Sequence, residues 1–233
     1  MDNTALIIVE VVSAIVCFVL VWFMVKPYRT TGESRYLGLP LGFAFLGVSY
    51  VLMGTAYFES FRFVQETKWL QLFTQTYAFT FLATTYFFSK KPTKHSRLWL
   101  DLTYAVLVLV AIISYLAVVE PLIFGLPSYK RTNEYLLLFN IICLAYISIH
   151  TLRSHATRPD PKTIWTPLSY ILFSFGQYSL FIWSVDSSFA AYVGAQFLRL
   201  SGLLILLFVT YQAFHALHET PQKEGIHNEE ASA

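Results

Sequence analysis

Two side chains of opposite charge stand inside otherwise apolar stretches of this 233-residue chain. Arg199 lies within AAYVGAQFLRLSGLLILLFVTYQAF, and Glu10 lies within the first apolar stretch of the sequence. A charge in apolar surroundings is stable only when it is paired, and the first and last helices are neighbours if the seven helices close into a ring. These residues therefore predict an ion pair between the two helices. A guanidinium in such a place can also hold an anionic or carbonyl-bearing ligand. We assign that ligand-binding role to Arg199, with Glu10 as its resting partner.

Amide side chains occupy similar depths in the other apolar segments. Five of them lie near a segment midpoint or in its outer half, namely Gln71, Gln75, Asn140, Gln177 and Gln196. Gln196 precedes Arg199 by three residues, which places the two side chains on one helix face. We therefore predict a polar cavity in the outer half of the bundle, in which Gln75, Gln177 and Gln196 orient a ligand through hydrogen bonds.

A structural role for the same residues is the alternative. Amides within membrane helices often tie neighbouring helices together, at about 0.6–2 kcal/mol per hydrogen bond. A staple between Glu10 and Arg199 would likewise hold two helices together without binding a ligand. The sequence leaves both interpretations open.

The segments that carry these residues have the length and composition of membrane helices. Hydrophobic residues make up 56% of the chain and charged residues 13%, and the mean hydropathy is +0.54, values outside the range of soluble domains. A membrane-spanning helix needs about 20 apolar residues. Seven stretches meet this need, at residues 4–25, 37–57, 69–88, 98–123, 135–152, 166–184 and 189–214. We predict an all-α, seven-helix transmembrane domain over residues 1–216 and a short polar tail over residues 217–233.

The distribution of basic residues predicts the orientation of this domain, because lysine and arginine are enriched in short cytoplasmic loops. One side of the predicted spans carries Lys26, Arg29, Arg35, Lys90, Lys91, Lys94, Arg97, Arg153, Arg158, Lys162 and Lys223. The other side carries Arg62, Lys68, Lys130 and Arg131. The N-terminus is therefore expected outside the cell and the tail in the cytoplasm, in a multi-pass protein of the plasma membrane.

The sequence lacks the residues that several familiar chemistries require. A covalent retinal needs a lysine in the seventh helix, and no lysine occurs between Lys162 and Lys223. The chain also has no HExxH, no GxSxG, no phosphate-binding glycine loop and no cluster of histidines within the spans. The sequence therefore predicts no catalytic residue, no metal, no cofactor and no nucleic-acid partner, and we do not expect an enzyme. The lipid bilayer is the partner that the composition requires.

Small residues predict where helices approach one another closely. The second span carries Gly38, Gly42, Gly47 and Gly54, and the seventh carries Gly194 and Ser201. Gly38 and Gly42 are four residues apart, and the pairs Gly47 and Gly54 and Gly194 and Ser201 are each seven residues apart, so the members of each pair share a helix face. The pattern indicates close packing or oligomerisation and carries no chemistry of its own.

Three spans resemble a known class of membrane region. These are LGLPLGFAFLGVSYVLMGTAYF and WLQLFTQTYAFTFLATTYFF in the second and third spans, and FLRLSGLLILLFVTY in the seventh. They are similar to the seven-helix sensor regions that precede histidine kinases in archaea and bacteria. The resemblance implies sensing of a ligand or of the membrane state. Since no kinase follows here, a signal would pass to a separate protein through helix contacts or the basic inner loops.

Two other functions remain open. In the first, a small-solute carrier, three helices, a linker helix and three more helices form two parallel repeats. WLQL in the third span and FLRL in the seventh would then correspond, which places Gln71 opposite Arg199. In the second, the chain is a structural subunit of a larger membrane complex, and its aromatic surface and glycine stripes form the interface.

Overall fold

Seven α-helices make up the described part of the chain. The computed structural model describes residues 3–31, 37–57, 64–88, 94–119, 128–157 and 164–230. The helices are α1 (Asn3–Thr31), α2 (Gly38–Ala56), α3 (Val64–Phe88), α4 (Lys94–Val119), α5 (Tyr129–Thr157), α6 (Trp165–Asp186) and α7 (Phe189–Glu230). Several of the loop cations used to predict orientation lie outside the described residues, namely Arg35, Arg62, Lys90, Lys91, Arg158 and Lys162, as do residues 120–123 of the fourth predicted span.

Six of these helices are long and apolar enough to cross a membrane, as judged over the described residues. They indicate a multi-pass membrane protein and confirm the all-α prediction. The exception is α3, whose first turns carry Gln65, Glu66, Lys68, Gln71 and Gln75. The apolar part of α7 is Phe189–Phe214, and the helix itself continues through Glu230.

The polar character of α3 fits its position in the bundle. It packs against three helices, α2, α4 and α5, and most of its second half is buried. Its threonine hydroxyls donate to carbonyl oxygens one turn earlier, as Thr76 does to Leu72 at 3.0 Å and Thr80 to Thr76 at 2.8 Å. Because protein and its own backbone satisfy these groups, α3 does not need the hydropathy of a helix that faces lipid.

The helices form a ring that leaves one helix outside. Around the ring, α1 contacts α2, α2 contacts α3, α3 contacts α5, α5 contacts α6, α6 contacts α7, and α7 returns to α1. The first and last membrane helices are therefore neighbours, as the predicted ion pair requires. α4 lies outside the ring against α3 and exposes many apolar side chains, among them Leu98, Val106, Leu109 and Leu116.

All six helices of the ring contribute to one apolar core. Its fully buried members include Leu20 of α1, Phe43 of α2, Phe79 of α3, Leu144 of α5, Phe173 of α6 and Leu203 of α7. These residues lie near the middle of α1, α3, α5 and α6 and in the first half of α2 and α7. The apolar core thus extends from the middle of the bundle toward the end away from the first residues of α1, where Met24, Leu39 and Tyr86 pack against it.

Close helix packing occurs where the second span predicted it, but not where the seventh did. A Cβ added to Gly42 would lie 2.7 Å from Leu82 Cγ, and one added to Gly47 would lie 3.2 Å from Cys17 Cβ. A Cβ added to Gly194 would have no neighbour within 4 Å, so that residue makes no close helix contact within the described part of the chain. Gly202 makes the contact instead, with its added Cβ 2.9 Å from the Ser169 carbonyl oxygen.

Candidate functional site

The predicted ion pair is present in the bundle. Arg199 Nη2 lies 2.7 Å from Glu10 Oε1. Glu10 is fully buried and Arg199 is 4% exposed. The pair joins α1 to α7, and it follows from the ring closure that makes these two helices neighbours. The sequence prediction of a Glu10–Arg199 ion pair is therefore confirmed.

Two further side chains complete the surroundings of the guanidinium. Gln196 Nε2 donates to Glu10 Oε1 at 3.1 Å, and its Oε1 accepts a hydrogen bond from Arg199 Nη2. The ring of Tyr50 lies against the guanidinium, with its centroid 4.3 Å from Arg199 Cζ. A cation over an aromatic face is attracted by the ring quadrupole, and the attraction is larger when both groups are away from water. Arg199 is therefore held from α1, α2 and its own helix.

The cluster keeps unused hydrogen-bonding capacity. Glu10 Oε2, Tyr50 Oη and Arg199 Nε are buried and have no hydrogen-bond partner among the described residues. An unsatisfied buried polar group costs about 1–3 kcal/mol, and more when it is charged. Three such atoms around one ion pair mark a place where a water molecule or a ligand group would gain hydrogen bonds.

A cavity of about 690 Å³ reaches Arg199 from one end of the bundle. Its walls come from the last turns of α2 and α6 and the first turns of α3, α5 and α7, so it lies at the end where α1 begins. Exposed residues such as Lys130 and Ser187 line it at the helix ends, and buried Gln75 and Arg199 line it deeper in. Its volume falls within the roughly 300–1,000 Å³ typical of small-molecule sites.

The cavity is positively charged and partly aromatic. Lys68, Lys130 and Arg199 line it, and none of its described lining residues is acidic. Aromatic lining residues include Tyr57, Tyr129, Trp183, Phe189 and Tyr192. The rings of Trp183 and Tyr192 contact each other with centroids 4.9 Å apart. This surface complements a small anion that also carries an apolar or aromatic group.

The structure brings together only some of the predicted site residues. Arg199 and Gln196 bond to Glu10 and also line the cavity, whereas Glu10 is not among the lining residues. Gln75 lines the cavity and accepts a hydrogen bond from Gln71 Nε2 at 3.1 Å. Gln177 is buried outside the lining, and its Oε1 has no partner among the described residues.

Sequence reasoning missed several cavity residues. Lys68 was used only to predict orientation, yet it precedes Gln71 by three residues and Gln75 by seven. This spacing puts all three on one face of α3, and it is a signal that could have identified the lysine. Lys130, Trp183 and Ser184 gave no such signal, because they meet the other lining residues only through the packing of α5 and α6.

The chain has no match among protein-family models, curated proteins or solved structures. The fold and the site together define a multi-pass helical membrane protein with a positively charged, partly aromatic cavity that ends on a buried ion pair. Proposals about its function therefore depend on this geometry and on the chemistry of the lining residues.

Proposed function

We propose that this protein is a seven-helix membrane receptor for a small amphipathic organic anion, with α3 as the seventh span. The observation that carries the proposal is a buried arginine at the inner end of a cavity with two further cations and no acidic group among its described lining residues. The positive potential concentrates anions at the mouth, and the arginine supplies a directed partner at depth. The basic residues near the opposite helix ends favour an orientation with this cavity facing the exterior.

The chemistry of the lining suggests which anion fits. A carboxylate, sulfonate or phosphate group would bind Arg199, whose Nε has no hydrogen-bond partner among the described residues. Gln75 and Gln196 can donate to the same group. The apolar part of the ligand would lie between Trp183, Tyr192 and the other aromatic rings near the mouth.

Binding also provides a physical basis for signalling. In the resting state Arg199 pairs with Glu10 and so connects α7 to α1. A ligand anion that takes over the guanidinium weakens this connection, because the anionic group of the ligand replaces the Glu10 carboxylate as the partner of Arg199. α7 continues through Glu230 beyond its apolar part, so it can transmit a shift to a separate partner protein. This is the sensor function that the resemblance to kinase-linked seven-helix regions implies.

A binding assay tests the proposal. We expect organic anions such as phenyl phosphate and benzenesulfonate to raise the melting temperature of the purified protein, and their neutral analogues to leave it unchanged. Arg199→Gln should abolish the stabilisation. The matched control is Arg153→Gln, an exposed arginine at the far end of α5 that does not line the cavity. Arg199→Leu with unchanged anion binding and an unchanged or higher melting temperature would contradict the proposal.

A second set of binding measurements uses variants of exposed lysines, whose substitution does not remove a buried contact. Lys68→Gln and Lys130→Gln each remove one cation from the cavity wall, and both lysines are exposed. Each change should weaken anion binding by about twofold to tenfold, with a smaller loss at high salt because exposed charges are screened. Arg131→Gln is the control, since Arg131 follows Lys130 but does not line the cavity. Equal losses from all three would indicate a general charge effect and contradict a local site.

A further inference from the structure

The helix contacts of the ring repeat after half a turn. α2 lies between α1 and α3, as α6 lies between α5 and α7. The contact of α3 with α5 is matched by the contact of α7 with α1. α4 stands outside this pattern. A half-turn about the centre of the ring therefore exchanges the unit α1–α3 with the unit α5–α7.

The buried faces of the first two helices in each unit follow one residue shift. Gly38 and Trp165 begin α2 and α6, and Pro40 and Pro167 each stand two residues further on. With the same shift of 127 residues, every buried residue of α6 falls on a buried residue of α2. The paired positions are Pro40 and Pro167, Gly42 and Ser169, Phe43 and Tyr170, Leu46 and Phe173, Ser49 and Gly176, and Tyr50 and Gln177.

The same shift relates α1 to α5. It pairs buried residues of α1 with buried residues of α5 at five positions: Glu10 and Leu137, Ser13 and Asn140, Val16 and Cys143, Cys17 and Leu144, and Leu20 and Ile147. Any two packed helices bury residues with a period of 3.6. Agreement between the buried positions of one pair of helices is therefore weak evidence for a repeat. A single shift that holds for two successive helices indicates a repeated unit.

Two close contacts place α3 against α2 in the first unit. Ser49 Oγ donates to the carbonyl oxygen of Gln71 at 3.4 Å. Seven residues away on each helix, a Cβ added to Gly42 would lie 3.2 Å from the carbonyl oxygen of Ala78. In both contacts a small residue of α2 lies against the backbone of α3.

The second unit has two close contacts at corresponding positions, one with the small residue on α6 and the other with the small residue on α7. A Cβ added to Gly176 would lie 3.4 Å from the carbonyl oxygen of Ala195, and one added to Gly202 would lie 2.9 Å from that of Ser169. Gly176 and Ser169 are the counterparts of Ser49 and Gly42 under the shift found above. The spacing along each helix is again seven residues.

These contacts give the register between α3 and α7. Ala195 corresponds to Gln71, and Gly202 corresponds to Ala78, so the counterpart of Arg199 is Gln75. The similarity of WLQL and FLRL aligned Gln71 with Arg199 instead. That alignment differs by one helical turn, because it relied on residue types and not on helix contacts. Gln75 and Arg199 both line the cavity, one from each unit.

Side-chain contacts between the units lie at both ends of the bundle. At the cavity end, the hydroxyl of Tyr57, the residue that follows α2, contacts that of Tyr192 in α7. At the far end, the hydroxyl of Tyr86 in α3 donates to that of Tyr170 in α6 at 3.1 Å. The apolar core closes the bundle at this far end. The structure therefore has a cavity at one end, bridged by Tyr57 and Tyr192, and is filled by apolar side chains at the other.

We propose that the protein is a carrier that moves its bound anion across the membrane by motion of α1–α3 against α5–α7. This inference rests on the proposed binding of an anion at Arg199. Carriers built from parallel repeats bind at the repeat interface and expose the site alternately to the two sides. Here the Glu10–Arg199 pair joins the two units, so an anion that displaces Glu10 from Arg199 loosens them. α4 serves as the linker that lets both units run in the same direction.

Flux through vesicles tests the proposal. The full-length protein is reconstituted in vesicles of phosphatidylcholine and phosphatidylglycerol, and the probe is whichever of phenyl phosphate or benzenesulfonate stabilises the protein more in the binding assay. We expect saturable uptake and counterflow of that labelled anion, absent from vesicles with Arg199→Gln. Binding without uptake or exchange would overturn the carrier and leave the receptor standing. A failure of both anions to bind would contradict the receptor proposal and the carrier proposal together.

A hydroxyl deletion tests the closed end. Tyr170→Phe removes the hydrogen bond to Tyr86 across the units and keeps the ring, so the far end should open more readily and exchange should rise severalfold while binding stays the same. Tyr115→Phe is the matched control, because its hydroxyl bonds to Thr74 at 3.0 Å between α4 and α3 and does not bridge the units. Equal exchange rates in the two variants would contradict the movement of one unit against the other.

Discussion

At the scale of single residues, the buried charges of Glu10 and Arg199 depend on each other. Both side chains are buried in a region with little water, where an isolated charge is strongly unfavourable, and each compensates the charge of the other. Gln196 bonds to both, and the Tyr50 ring covers the guanidinium. The arrangement compensates charge, but it leaves one carboxylate oxygen and one guanidinium nitrogen without partners among the described residues. The pair therefore joins α1 to α7 and keeps two buried polar atoms unbonded within the described part of the chain.

A double-mutant cycle should detect this mutual dependence. Glu10→Gln or Arg199→Gln alone should destabilise the protein by about 3–5 kcal/mol, because each leaves an uncompensated buried charge. The double variant should be more stable than the sum of the single changes predicts. The measurement is thermal unfolding in detergent, with Glu66→Gln and Arg153→Gln as exposed controls. Additive effects would show that the two charges are not coupled.

At the scale of helices, α3 and α4 show how position overrides hydropathy. α3 is the least suited of the seven to face lipid, yet it lies in the ring between α2 and α5 with α4 on its outer side. α4 is strongly apolar because it exposes most of its surface. α4 covers the side of α3 where Tyr115 bonds to Thr74, and Lys68, Gln71 and Gln75 of α3 line the cavity.

Close packing of α6 against α7 should depend on Gly202. Gly202→Ala places a Cβ 2.9 Å from the Ser169 carbonyl oxygen. Because this oxygen belongs to the backbone, no side-chain rotation can relieve the contact. We expect a lower melting temperature. Gly194→Ala is the control on the same helix, with open space around the added Cβ, and it should be neutral or stabilising by up to about 1 kcal/mol through helix propensity. Equal melting temperatures would contradict the observed packing.

At the scale of the whole molecule, a cavity at one end and an apolar core at the other make the bundle directional. In the proposed carrier, α1–α3 and α5–α7 meet at the cavity, and the ion pair crosses between them. One unit contributes an arginine where the other contributes a glutamine. A ligand would therefore bind in a single orientation, with its anionic group toward the second unit.

Orientation in the membrane is testable by labelling in cells. In a variant without Cys17 and Cys143, Ser187→Cys at the cavity end should react with an impermeant maleimide in intact cells. Ser154→Cys, exposed near the other end of α5, should react only after permeabilisation. These results would support a cavity that faces the exterior. The reverse pattern would assign the cavity to the cytoplasm and contradict the orientation predicted from the basic residues.

The sequence alone determined the helical class, most of the spans and the ion pair. The class and the spans follow from composition and from the length of apolar stretches. The ion pair follows from the need of a buried charge for a partner, once the first and last helices are neighbours. Glu10 and Arg199 were the only candidates for each other within the first and last apolar stretches.

The tertiary structure decided which other side chains share the site. Lys130, Trp183 and Tyr192 reach the cavity, and Gln177 does not line it, because of how α5, α6 and α7 are rotated and how close Gly176 and Gly202 let them come. The exclusion of α4 from the ring and the register that pairs Gln75 with Arg199 have the same origin. Helix neighbours, rotation and register depend on contacts between residues far apart in the chain, and no local pattern of residues contains them.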